Sequence, residues 1–317
     1  MKRERIYLYD TTLRDGQQTQ GVNFTVDDKI RISNALDELG IDYVEGGWPG
    51  ANPTDSDFFN TNPQLKATFT AFGMTKRSGK SAENDEVLSA VLNANTPGVC
   101  LVGKAHDFHV IKALGISLEE NLSNISDSVR HIVSKGREAL FDCEHFFDGY
   151  RENPNYALKA AKVAYEAGAR WIVLCDTNGG ALPSQVFSAT KAVIDSGIPG
   201  DRIGIHTHND TEHAIANSLA AIDAGARQVQ GTLNGLGERC GNANLVTLIP
   251  TLLLKDPYSS LYETGVDLNK LSSLTSISRT LDDILNRVPD KWAAYVGSSA
   301  FAHKAGLHAS AIKVDPS

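Results

Sequence analysis

The sequence predicts an α/β protein of the (β/α)8 class, a TIM barrel with a C-terminal helical accessory arm. Three observations predict it. Eight short apolar runs of strand length recur over the first 233 residues, and amphipathic stretches of helical length alternate with them. No two runs are joined as a long antiparallel hairpin, so parallel strands with helical crossovers are required. Eight such units favour a closed barrel over an open sheet, and a barrel of about 250 residues fits within the 317 present.

The first run, IYLYD (6–10), leads to a helix over 25–40, in which Ile30, Ala35, Leu36 and Leu39 keep helical spacing. Thr25 with Asp28 forms a capping pattern there and Gly40 a stop. Strands follow at 43–47, 67–73 and 98–104, then a long helix over 117–135. The fifth strand is 138–144 and a helix covers 156–168. The sixth strand, 170–177, precedes a helix over 183–196. The seventh, 202–208, precedes a helix over 211–224, and the eighth, 227–233, precedes a helix over 243–254. Beyond 257 the rhythm changes to a helix over 267–285 and an irregular arm with one short helix. The expected division is a catalytic barrel over 1–257, with a linker and the start of an accessory subdomain over 258–317.

Composition narrows the function. A net charge of −8 speaks against nucleic acid as the main partner, because phosphate binding needs a concentrated basic surface. No apolar span approaches about 20 residues, so no membrane helix is expected. The N-terminus runs from charged residues straight into a strand, without the apolar core of a signal peptide. Cys100, Cys143, Cys175 and Cys240 are widely spaced, which fits reduced thiols and a cytoplasmic location.

Barrel enzymes place their chemistry at the C-terminal ends of strands. Here the first strand ends in Asp10 and runs into Arg14, Asp15 and Gln18. The fifth ends in Glu144 and the sixth runs to Thr177. The seventh carries HTHND, in which His206 and His208, two residues apart on a strand, face the same way and can share a cation. Asp15 is the best-placed carboxylate to join them. Two imidazoles and an acid leave positions open for substrate, as a reactive metal needs. Arg14 is placed to steady an oxyanion, or else to pair structurally with Asp10 or Glu45. Thr177 can donate to a substrate carboxylate, and Glu144 can support a general base. The glycine-rich stretch after strand eight, NGLGERCGNAN (234–244), lets backbone approach a ligand closely through Asn234, Gly235 and Gly237, and offers Asn242 as a fourth metal ligand.

YDTTLRDGQQ, HTHND and NGLGERCGNANL, found together and in order over 9–245, resemble the isopropylmalate, homocitrate and citramalate synthases, within the DRE-type TIM-barrel metallolyases. VEGGWPGANPTDSDFF (44–59), GKAHDFHVIKALGISLEENL (103–122) and FDCEHFFDGYRENP (141–154) resemble the citramalate-forming branch. The resemblance implies metal ligation by Asp15, His206, His208 and Asn242, with manganese, zinc or magnesium as the ion. It implies catalytic roles for Arg14 and Glu144 and oxo-acid binding by Thr177. FAHKAGLHASAI (301–312) is similar to the family's accessory motif, which places His308 as a helper in deprotonating the thioester and implies a homodimer. One position departs from the pattern: Asp142 stands where some relatives have tyrosine.

The implied activity is a Claisen condensation of acetyl-CoA, as co-substrate, with pyruvate, followed by thioester hydrolysis to citramalate. Phe72, Met74 and Val102 are candidates to bound the oxo-acid side chain. One methylene discriminates by only about 1–3 kcal/mol, so 2-isopropylmalate and homocitrate synthases remain alternatives. An acyl-CoA retro-aldol lyase and a non-catalytic barrel are more distant ones. Full-length relatives carry a C-terminal regulatory domain, which is expected to be absent from these 317 residues.

Overall fold

The computed structural model describes residues 3–314. Eight parallel strands close into a barrel in sequence order. They are β1 (Tyr7–Asp10), β2 (Tyr43–Gly47), β3 (Thr68–Met74), β4 (Gly98–Lys104), β5 (Glu138–Glu144), β6 (Trp171–Asp176), β7 (Ile203–Thr207) and β8 (Gln228–Gly231). The ring shuts where Tyr7 pairs with Gln228 and Asp10 with Gly231. Each strand lies within or close to the run that predicted it.

The outer helices are α1 (Val26–Leu39), α2 (Pro53–Asn60), α3 (Glu86–Asn93), α4 (Leu118–Ser134), α5 (Phe146–Glu152), α6 (Pro154–Glu166), α7 (Pro183–Asp195), α8 (Ala214–Ala224) and α9 (Leu245–Leu254). The capping pattern at Thr25 and Asp28 is present as a reciprocal box, satisfying two N–H groups that the first turn leaves open. Gly40 closes α1 at φ 102, where an added Cβ would strike the Gly265 carbonyl. The buried face of α1 includes Lys29 as well as Ile32, Leu36 and Leu39, so the stripe is not purely apolar. Helix α8 starts at Ala214 instead of 211, because Glu212 takes a left-handed φ of 60 and Asn209 Oδ1 accepts from the Ala214 N–H. Helices α2, α3 and α5 were not among those expected from the sequence, although α3 buries Leu88 and Val91 at helical spacing.

The apolar core has two parts. One fills the space between helices and barrel wall. The other plugs the barrel interior with Tyr9, Tyr43, Phe72, Cys100, Leu140, Trp171, Val173 and Cys175. Trp171 meets Tyr7 edge-on at 5.2 Å and donates from Nε1 to the Tyr43 hydroxyl at 3.1 Å. Burying each such large side chain stabilises the fold by roughly 1.5–3 kcal/mol, and the filled interior is a floor, not a pore.

Past α9 the chain returns to the barrel. Tyr262–Glu263 pairs in parallel with Glu4–Arg5, and Arg5 binds both Asp42 and the Thr264 carbonyl. Helix α10 (Leu274–Ile284) then buries Leu274, Ile277 and Leu281 and packs against α1. The single helix read over 267–285 is thus a 3-10 stretch (Leu268–Ser273) followed by α10. From Arg287 onward most of the described side chains are exposed, and helix α11 (Gly306–Val314) follows. Among the described residues no helix is long and apolar enough to cross a membrane.

Candidate metal and substrate site

The C-terminal strand ends converge on a cavity of about 210 Å³. Arg14, Asp15, Phe72, Val102, Glu144, Thr177, His206 and His208 line it, so eight residues singled out from the sequence meet in one place. Trp48, Asp142, Cys175, Gln18 and Glu238 complete the wall. Met74 lies beside Val102 in the β3–β4 register but does not line the cavity.

Among the described residues, Asp15, His206 and His208 form the one group of three histidine, cysteine or carboxylate side chains close enough together to share a cation. Their alternation on β7 and its extension turns both imidazoles inward. His206 Nε2 is 3.2 Å from Asp15 Oδ2 and 3.3 Å from His208 Nε2, and His208 Nε2 is 3.9 Å from Asp15 Oδ2. Ligand atoms about 2.0–2.2 Å from a shared ion stand about 3.0–3.5 Å apart, so two separations fit and the third is slightly long. Burial pushes the Asp15 carboxyl up, but Arg14 and His206 outweigh it and hold the group well below the usual range. Burial, and then His206, brings His208 down to about 4, so at neutral pH its ring is uncharged and free to ligate. The donor set therefore fits a divalent ion.

An isolated bridge pairs His208 with Asn242 and brings the glycine-rich loop to the site. Asn242 Nδ2 donates to Asp15 Oδ2, while its buried Oδ1 has no partner. Turning this amide would present an oxygen to an ion instead. The loop is compact because Gly237 lies against Asn242, where a Cβ would meet Oδ1 at 2.8 Å. Arg239 in the same loop forks onto Asp210 and donates to the Thr177 carbonyl at 2.7 Å, joining the loops after β6, β7 and β8.

Arg14 donates from Nε to Glu45 Oε2 at 2.6 Å and from Nη1 to Asp15 Oδ1 at 3.2 Å. Its guanidinium also stacks over the Phe72 ring at 3.8 Å. Glu45 in turn accepts from the Tyr9 hydroxyl at 2.8 Å. The structural pairing with Glu45 and the cavity-facing position thus coexist. Asp10 is occupied elsewhere, by the Thr12 N–H and hydroxyl.

Glu144 pairs with Lys104, its register partner across β4 and β5. Thr177 Oγ1 accepts from the His145 N–H at 2.8 Å, which leaves its own proton available to a ligand. Asn234, Gly235 and Gly237 lie elsewhere, on a larger cavity of about 620 Å³ between the glycine-rich loop, α10 and the arm. The Asn234 side chain is spent on α10: it donates to the Ser278 carbonyl and Asp282, and accepts from the Ser278 hydroxyl. The side chain of His308 lies outside the described residues.

Lys104, Glu45 and Gln230 were not singled out as site residues from the sequence. Lys104 and Glu45 end or sit within strands, where an inward charge is a usable signal. Gln230 donates to Asp142 at 3.2 Å and lies 2.9 Å from His206 Nδ1, but a strand glutamine gives no such signal.

The HMGL-like family model matches residues 5–277 of the chain. The chain is similar to the (R)-citramalate synthase of Synechocystis sp., 49% identical over 324 residues that cover 99% of this chain and 58% of that protein. A 2-isopropylmalate synthase of Sulfolobus acidocaldarius is 33% identical, over 99% of this chain and 77% of that one. The solved HMG-CoA lyase of Bacillus subtilis superposes with a TM-score of 0.76 at 20% identity, covering 93% of this chain and 98% of that chain, a likeness of fold. The chain spans 58% of the length of the citramalate synthases it matches.

Proposed function

Because the chain belongs to the HMGL-like family, we propose that it carries the catalytic barrel of a citramalate synthase, which condenses acetyl-CoA with pyruvate. The observation that carries this reading is the meeting of Asp15, His206 and His208 with Arg14, Glu144 and Thr177 in one cavity. A divalent cation held by Asp15, His206 and His208, with Asn242 as a fourth ligand, supplies Lewis acidity toward the keto oxygen of the oxo acid when bound.

The side chains do the rest. Thr177, held by the His145 N–H, donates its hydroxyl proton to the oxo-acid carboxylate. Phe72 and Val102 face the small methyl group. Glu144, fixed by Lys104 and assisted by His308, takes a proton from the acetyl methyl, work that contributes about 10²–10⁴-fold. The methyl carbon then bonds to the keto carbon, and the keto oxygen gains a proton. Arg14, held by Glu45 and Phe72, donates to the oxygen where negative charge gathers. Water then cleaves the C–S bond, releasing citramalate and CoA. The nucleotide end of acetyl-CoA takes the larger cavity at Asn234, Gly235 and Gly237, with the backbone as the contact surface. Trp292 and Phe301 of the arm are 72% and 79% exposed, which fits an arm that covers the cavity of a second copy in a homodimer.

The deciding experiment offers purified protein pyruvate, 2-oxoisovalerate or 2-oxoglutarate with acetyl-CoA and follows thiol release. Pyruvate is expected to be preferred, and a preference for either larger acid would overturn the reading. Arg14→Ala is expected to lower kcat by about 10²–10³-fold, the usual loss on removing one oxyanion donor. Steady-state kinetics check it: a normal kcat with a raised KM would leave Arg14 as a binding residue only.

A further inference from the structure

Two polar residues inside the barrel have no place in the chemistry above. Gln230 on β8 is fully buried and Asp142 on β5 is 4% exposed. Burying an amide and a carboxylate is costly unless both are hydrogen-bonded. Their bonds form a line toward the candidate metal site. Gln230 Nε2 donates to Asp142 Oδ1 at 3.2 Å, and Gln230 Oε1 lies 2.9 Å from His206 Nδ1. Gln230 is also the register partner of His206 across β7 and β8.

We infer that Asp142 and Gln230 are positioning residues that fix which ring nitrogen of His206 faces the metal site. The inference rests on the metal reading of Asp15, His206 and His208 given above. A carboxylate only accepts, so the amide NH2 of Gln230 must face Asp142 and its carbonyl must face His206. That carbonyl also only accepts, so His206 carries its proton on Nδ1. Nε2 is then the nitrogen left to face Asp15 and His208, where a cation would take the place of its proton. The buried Nδ1 of His208 has no partner, so the relay acts on one of the two imidazoles alone. Outer partners of ligating histidines set ring orientation in this way, and their loss costs about 10–100-fold in metal affinity.

The test titrates the purified chain with Mn²⁺ alone and reads free Mn²⁺ by electron paramagnetic resonance, with an unfolding midpoint recorded for each variant. Gln230→Leu and Asp142→Leu are each expected to bind Mn²⁺ about 10–100-fold more weakly, although Asp142 reaches His206 through Gln230. The double variant Asp142→Asn/Gln230→Glu exchanges amide and carboxylate and keeps an acceptor against Nδ1. It is expected to bind within about threefold of the parent. A packing role would shift the unfolding midpoint and leave the affinity of the folded protein unchanged. Folded leucine variants of parental affinity, or a folded double variant that stays weak, would overturn the inference. Should the leucine variants not fold, the double variant decides alone in the same two directions. A parent chain that binds no Mn²⁺ would remove the metal reading itself, and the inference with it.

Discussion

Alanine in place of His208 is expected to lower turnover by about 10³-fold or more while leaving the barrel folded. Lewis-acid polarisation of a carbonyl is worth several kcal/mol, and each 1.36 kcal/mol is about tenfold in rate. Losing about 4 kcal/mol of it therefore costs about three orders of magnitude. The fold should survive because the Nδ1 of His208 has no hydrogen-bond partner and Nε2 faces His206 and Asp15 within the candidate site. Rates measured across a manganese titration, beside circular dichroism, check both halves. A variant retaining more than about a tenth of parental activity at saturating metal would rule out the role.

Lys29→Met is expected to give the largest stability loss, about 3–5 kcal/mol, because it strips one partner from a buried ion pair. Lys29 is fully buried on α1, and its Nζ donates to Asp55 at 2.6 Å and to the carbonyls of Leu13 and Gly46 at 2.7 and 2.9 Å. Burial lowers its pKa, and Asp55 opposes that shift. Asp55 also accepts from the Trp48 N–H at 2.8 Å and from Gln17. Gly47, at φ 148, leaves room for this carboxylate, which an added Cβ would meet at 2.5 Å. The pair therefore ties together the loops after β1 and β2, one residue away from Arg14 and Glu45. Urea denaturation measures the loss, and kcat should fall with it as Arg14 loses its frame. An unchanged midpoint would show that the methionine packs as well as the ion pair.

The barrel was legible because strand-length apolar runs and helical stripes alternate with little interruption, and tertiary packing kept that local pattern. The candidate metal group was legible for a related reason: strand alternation in HTHND brings two imidazoles to one side, and Asp15 follows a strand end. Less was legible wherever function depends on contacts between strands. Lys104 meets Glu144, and Gln230 meets His206, only through barrel register, which no local pattern reveals. Lys29 was hidden differently, since a lysine on a helix reads as solvated until three acceptors are seen around it. Asn234 stood out in a glycine-rich loop, yet its side chain serves α10, because polarity in a sequence does not say which neighbour it serves.

Asp15 and Asn242 touch although 227 positions separate them along the chain. The acid emerges with the first blade of the ring and the amide after the last, so this contact can form only once β8 has docked on β1. A cation seated there would act as a clasp on ring closure, since an open or partly assembled chain offers it no complete seat. By mass action, saturation at a hundred times the dissociation constant would add about 2.7 kcal/mol to the closed form. Metal-starved protein should accordingly be easier for a protease to nick than the same protein after loading, without any change in the contacts that build the wall.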